Sequence, residues 1–138
     1  MIQLYVDGAS AGNPGKSGIG FFIKGEGHLI HAAIPIEPTT NHLAEFIALD
    51  QALGFVLAIE PTVDMVTVFS DSKVVVDSVQ KGFTKNKDYT PLLESIQQKA
   101  SQFDLFFLNW LTDKQNKAAD HLARQAIHLK EPSIRYQS

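Results

Sequence analysis

At 138 residues, 44% of them hydrophobic and 20% charged, the chain is long enough for one domain with a buried core and has no segment of the composition that resists folding. It carries no cysteine, which excludes disulfides, thiolate chemistry and cysteine-bound zinc and is compatible with a reducing cytoplasm, the expected location. The formal net charge of −3 argues against strong general affinity for nucleic acid while leaving room for a local site.

The chain opens directly on a strand, with no basic stretch leading into an apolar segment, so no signal peptide is expected. No apolar run approaches the roughly 20 residues that a membrane helix needs, and no membrane contact is expected. Leu4 and Val6 alternate with Gln3 and Tyr5, the period of a strand, and Asp7 stands at its carboxyl end, where open α/β sheets place their chemistry. The exit Gly8-Ala9-Ser10-Ala11-Gly12-Asn13-Pro14-Gly15 suits tight turns and close approach to a ligand. Taken alone, an Asp-Gly pair after a strand more often marks only a turn.

Ile19 to Lys24 and Leu29 to Ile36 read as two further strands joined by the turn Lys24-Gly25-Glu26-Gly27, making an antiparallel meander. Pro35 and Pro38 are expected to end the third strand, and Thr39-Thr40-Asn41 supplies helix-capping side chains. Apolar residues from Leu43 to Leu57 recur at helical spacing, predicting a helix from Asn41 to about Ile59, closed by Pro61, with Glu45 near its start. Val63 to Phe69 is a β-branched strand that runs into Ser70-Asp71-Ser72; a helical crossover makes it parallel to the first strand.

A short helix over Val74 to Val79 ends near Gly82, and the basic stretch Lys81 to Lys87, with Phe83 inside it, reads as a solvated loop. A second amphipathic helix is predicted from Tyr89 to about Phe103. Leu105-Phe106-Phe107-Leu108-Asn109-Trp110-Leu111 then reads as a strand buried on both faces, with Trp110 in the core. The last helix starts near Lys114, with Ala118, Leu122, Ala126 and Leu129 along one stripe and Asp120 close to its beginning. Residues 1–130 form the expected domain, and residues 131–138 a polar tail expected to fray. The predicted architecture is α/β: a five-stranded mixed sheet, an antiparallel meander followed by parallel strands, flanked by helices.

The acids are the informative feature. Asp7 and Asp71 end two strands expected to be parallel neighbours, Glu45 begins the helix between them, and Asp120 lies on the helix after the next strand. Four carboxylates brought to one end of a sheet repel one another and raise each other's pKa values. A divalent cation relieves that repulsion, and oxygen ligands of this kind select Mg²⁺ or Mn²⁺ over softer metals. Other acids and histidines read more plainly: Asp50, Asp77 and Asp113 as surface acids, His121 as a surface residue, and His28 and His31 as pointing to opposite faces of one strand.

Asp7-Gly8-Ala9-Ser10 with Gly12-Asn13-Pro14-Gly15, Thr40-Asn41-His42-Leu43-Ala44-Glu45, Ser70-Asp71-Ser72, and Asn116-Lys117-Ala118-Ala119-Asp120-His121-Leu122-Ala123 resemble, in order and spacing, the four signature blocks of the type 1 ribonuclease H family. The resemblance spans Met1 to about Lys130. It implies a ribonuclease H-like fold and metal-dependent hydrolysis of the RNA strand of RNA–DNA hybrids, cutting internally to leave 5′-phosphate and 3′-hydroxyl ends. Asp7, Glu45, Asp71 and Asp120 would be catalytic and would hold two Mg²⁺ ions, or Mn²⁺, with Asp7 bridging them. Gly8, Asn13 and Asn41 match positions that contact the minor groove, and Thr40 and Asn86 match positions that grip a phosphate of the DNA strand. A monomer with no obligate protein partner is expected.

The chain also departs from the family pattern. The loop Thr112-Asp113-Lys114-Gln115 lacks the histidine that many members carry before the last aspartate, so turnover would be slow or lean on Lys114. His42 replaces a second asparagine, Pro38 stands where a basic phosphate-pocket residue is usual, and the segment after Asp71 is too short for a long basic protrusion. Two rival functions follow. A 3′–5′ exonuclease would carry a second acid on the first strand, as Asp-x-Glu, and Asp7-Gly8-Ala9 lacks it. A weakly active or inactive hybrid-binding paralogue is the other, although a binding module has no reason to keep an acidic cluster.

Overall fold

Alternating burial along Ile2–Ser10 puts Ile2, Leu4 and Val6 in the core and makes this strand, β1, an interior member of a six-stranded sheet. The structure is a computed structural model that describes residues 1–137. The remaining strands are β2 (Gly15–Gly25), β3 (His28–Thr39), β4 (Met65–Ser70), β5 (Leu105–Trp110) and β6 (Ser133–Gln137). The helices are α1 (Asn41–Ile59), α2 (Lys73–Lys81), α3 (Thr90–Ala100) and α4 (Lys117–Ile127). The sheet order is β5-β4-β1-β2-β3-β6, with β1, β2 and β3 antiparallel and both β4 and β5 parallel to β1.

Helices cover both faces. Ile19, Phe21 and Ile23 of β2 point into the core shared with α1, where Phe21 meets Phe55 at 5.4 Å between ring centroids. The alternate residues Gly18 and Gly20 point the other way, onto α4. Thr40 caps α1 by accepting from Leu43 N at 3.3 Å, and Gly82 ends α2 in the left-handed conformation at φ 70°.

Four expectations are corrected. The sheet has six strands, because residues 133–137 pair antiparallel with β3 from Leu29 to Ala33. The tail reads as polar, but strand pairing needs only backbone groups and an open edge, and Ile134 adds contact with the core. β3 runs through both prolines to Thr39: Pro35 lies beyond Ala33, where pairing with β6 has stopped, and Pro38 falls in the irregularity between the Ser17–Ile36 and Gly15–Thr39 pairs, positions where a strand tolerates proline. β5 is an edge strand rather than one buried on both faces: Phe106 and Leu108 face inward, whereas Leu105, Phe107 and Trp110 are 51%, 48% and 44% exposed. The stretch from Asp113 to Gln115 is a separate 3₁₀ turn, so the last helix begins at Lys117.

By length and composition α1 could also cross a bilayer, its most apolar stretch having a mean hydropathy of 1.5, but Phe46, Leu49, Leu53 and Val56 lie fully buried against the sheet. A methyl group at Gly20 would stand 2.4 Å from Ala123 N and 2.5 Å from the Ala119 carbonyl, both backbone atoms of α4. Gly20→Ala is therefore expected to lower stability by about 1–3 kcal/mol. Urea denaturation measures this, and a wild-type midpoint would contradict the seating of α4 on β2.

Candidate active site

Three backbone features bring the acids together. The parallel register pairs Val6 with Ser70, so the next residues, Asp7 and Asp71, emerge side by side where the β1–β4 ladder stops; β1 itself does not end at Asp7 as expected but continues to Ser10, paired with β2. Gly8 has no side chain where a Cβ would lie 2.3 Å from the Ala44 carbonyl group and 2.6 Å from Glu45 N, so α1 rests on β1 with Glu45 beside Asp7. Asn116, 1% exposed, donates from Nδ2 to the Val6 carbonyl at 2.9 Å and accepts from Asp120 N through its own carbonyl at 3.0 Å. That bond fixes the start of α4, and hence Asp120, against the end of β1.

Asp7, Glu45 and Asp71 each offer a carboxylate oxygen, and the three lie within 4.8 Å of one another. Asp120 joins them as a wall of the same cavity, of about 840 Å³. Burial raises the Asp7 carboxyl from 3.8 to about 9, helped by the charges of Asp71, Asp120 and Glu45. Burial also raises Glu45, against the opposing effect of His42, whose Nδ1 lies 3.0 Å from Glu45 Oε1. Asp71 is raised by burial and by the charges of Asp120 and Asp113, against a hydrogen bond shared with Asp7. The Arg124 Nε donates to Asp120 Oδ1 at 3.0 Å. A set of all-oxygen donors held together against their own repulsion fits a hard divalent cation.

The other predicted residues divide. Gly8 and Asn41 line the cavity. Asn13 stands behind them, accepting from Asn41 N at 3.1 Å, while Asn41 Oδ1 accepts from Ser10 N at 3.1 Å. Thr40 and Asn86 do not line it: the Thr40 hydroxyl caps α1, and Asn86 Oδ1 accepts from Asp88 N at 2.8 Å within its own loop. Lys114 also lies outside the cavity wall, where the basic side chain is Arg124 of α4.

Sequence reasoning missed Trp110, Asp113 and Arg124, all of which line the cavity. Trp110 ends β5 and Asp113 follows within three residues, the same carboxyl edge that made Asp7 and Asp71 conspicuous. Arg124 lies four residues after Asp120, a spacing that pairs side chains on a helix. Asp50 is likewise no plain surface acid: it accepts from Ser95 at 2.6 Å and from Lys99 at 2.9 Å, tying α1 to α3.

A mixed sheet in this order, with helices on both faces and acids converging from β1, α1, β4 and α4, defines an α/β protein of the ribonuclease H-like class. The RNase H family model matches residues 1–128, and the chain belongs to that family. It is 41% identical over 133 residues to EbsB of Enterococcus faecalis, described as a candidate hydrolase, covering 96% of this chain and 98% of that one. It is 31% identical to the bifunctional protein Rv2228c of Mycobacterium tuberculosis over 91% of this chain, but spans only 35% of that protein. Among solved structures, LC11-RNase H1 in complex with an RNA/DNA hybrid superposes with a TM-score of 0.83 at 29% identity, covering 92% of this chain and 96% of that one.

The raised Asp7 pKa has a direct thermodynamic consequence. Between 3.8 and about 9 the folded, cation-free protein binds more protons at this group than the unfolded chain does, so this contribution to stability falls as pH rises through that window. In EDTA the melting temperature is expected to be lower at about pH 8 than at about pH 6. Asp7→Asn is expected to raise it at the higher pH by several degrees, at about 4 °C per kcal/mol, and to flatten the pH dependence. Scanning calorimetry measures both effects, and a variant no more stable than wild type at the higher pH would contradict the assigned burial.

Proposed function

We propose that the protein is a divalent-cation-dependent endonuclease that hydrolyses the RNA strand of RNA–DNA hybrids, leaving 5′-phosphate and 3′-hydroxyl ends. The observation that carries this reading is the convergence of Asp7, Glu45 and Asp71, from three separate elements, to within 4.8 Å at the floor of an open cavity. The similarity to a ribonuclease H1 solved with an RNA/DNA hybrid supports the choice of substrate. Asp7, Glu45, Asp71 and Asp120 are the catalytic and metal-holding residues in this reading, with two Mg²⁺ ions, or Mn²⁺, as the cofactor.

The chemistry supplied by a bound cation pair is activation of the attacking water and neutralisation of charge on the leaving 3′ oxygen. The chain's own contribution is position. Asp7 feels the charges of all three other acids, so it is the carboxylate around which they gather, and it would hold a cation together with them. His42 holds the Glu45 carboxylate through its Nδ1 contact, and Arg124 holds Asp120 from one turn further along α4. The Gly8 backbone and Asn41, at the cavity wall, and Asn13, which accepts from Asn41 N, are assigned to 2′-hydroxyls in the minor groove, which would distinguish RNA from DNA. Thr40 and Asn86 are assigned to phosphates of the DNA strand. With few cations at the cavity and a net charge of −3, hybrid affinity is expected to be modest and to fall with salt. Action as a monomer in the cytoplasm belongs to the same proposal.

One feature favours a weakly active or inactive hybrid-binding protein instead. The loop before α4 carries no histidine and is closed on itself, with Gln115 Oε1 accepting from both Thr112 N and the Thr112 hydroxyl at 3.0 Å. Incubation of an end-labelled hybrid with Mg²⁺ or Mn²⁺ separates the two readings. Internal cuts in the RNA strand alone are expected, slowed by a factor on the order of 10³ in Asp71→Asn, about 4 kcal/mol of barrier. Intact hybrid under both metals, with binding retained, would establish the non-catalytic reading.

A further inference from the structure

Trp110 is the only tryptophan in the chain, and it stands where the β4–β5 ladder runs out beside an acid. Its register partner is Ser70, and the last backbone bond between the two segments runs from Leu111 N to the Ser70 carbonyl at 3.0 Å. Asp71 lies one residue beyond. Its carbonyl is met by a side chain instead: the Trp110 indole Nε1–H donates to it at 3.1 Å. The same ring carries the Lys73 ammonium 4.9 Å from its centroid, and Lys73 is the first residue of α2. One aromatic side chain therefore grips the strand-to-helix turn at Asp71 and again two residues later.

Trp110 is 44% exposed and lines the acidic cavity, so it does little for the core. Between its two contacts Ser72 completes the turn, donating from its backbone N to Ser70 Oγ at 3.1 Å and capping α2 by accepting from Val75 N at 3.2 Å. We infer that Trp110 is a positioning residue for Asp71: its indole N–H prolongs the ladder by one residue, and its face anchors Lys73, so that the Asp71 carboxylate stays within reach of Asp7 and Glu45 for a shared divalent cation. This rests on the reading that these acids hold such a cation. Groups that orient metal ligands in this way commonly change affinity or activity 10–100-fold when removed.

Trp110→Phe keeps the ring and the Lys73 contact while removing the donor. Mn²⁺ titration by calorimetry is expected to show affinity lowered about 10-fold or more. Hydrolysis of the hybrid should lose kcat with KM unchanged, and the cation-free melting temperature should stay within a few degrees of wild type. Mn²⁺ affinity within about twofold of wild type would overturn the assignment and leave the hydrolase reading intact. Wild-type protein that binds Mn²⁺ but leaves hybrids uncut would remove the hydrolase reading while the Trp110 comparison still stands. Wild-type protein that binds no Mn²⁺ would overturn both.

Discussion

Two helices of this protein come down to the backbone of the sheet at its glycines, and the acidic site depends on that closeness. At Gly8 a single methyl group would collide with the Ala44 carbonyl and Glu45 N of α1; at Gly18 and Gly20 it would collide with the backbone of α4. Side chains at these positions would set a larger distance between helix and sheet. Direct backbone contact shortens that distance on both faces at the same end of β1 and β2. Glu45 arrives from one side and Asp120 from the other, and β1 supplies Asp7 between them.

The second requirement is a fixed start for α4. The Asn116 amide reaches the Val6 carbonyl, 110 residues away in the chain, at the point where the β1–β4 ladder ends. A buried carbonyl without a partner is costly, so this bond satisfies β1 while it fixes the helix. Trp110 does a related thing one strand further out, meeting the carbonyl of Asp71. At the carboxyl edge of this sheet, side chains therefore take over where backbone pairing stops, and each one fixes the position of an acid.

Against this rigid support stands a group that opposes folding. The Asp7 carboxyl is pushed to about 9 by burial and three neighbouring acids, an arrangement that weakens the cation-free protein near neutral pH. A core built only for stability would place an apolar residue here, as it does at Val6 and Leu4 on the same strand. Sites that trade stability for chemistry look like this, and the cost falls on the residues assigned to catalysis.

Much of this was legible in the sequence, and the remainder divides by physical cause. Alternation in Gln3 to Val6, helical spacing from Leu43 to Leu57 and the capping threonine Thr40 identified elements because each signal is local. The four acids stood out because the strand and helix order alone sends Asp7 and Asp71 to one edge. What chain order could not show was which apolar residues lose contact with water. Leu105, Phe107 and Trp110 read as core because they are apolar, yet β5 has a neighbour on one side only, and edge position is decided by the whole sheet. The tail at Ser133–Gln137 became a strand for the converse reason: an open edge at β3 recruits backbone whatever its side chains. Local sequence thus determined the elements and the acids they carry. Tertiary packing alone decided the edges, the backbone contacts at Gly8 and Gly20, and the place of Trp110 beside Asp71, because each of these depends on residues far apart in the chain.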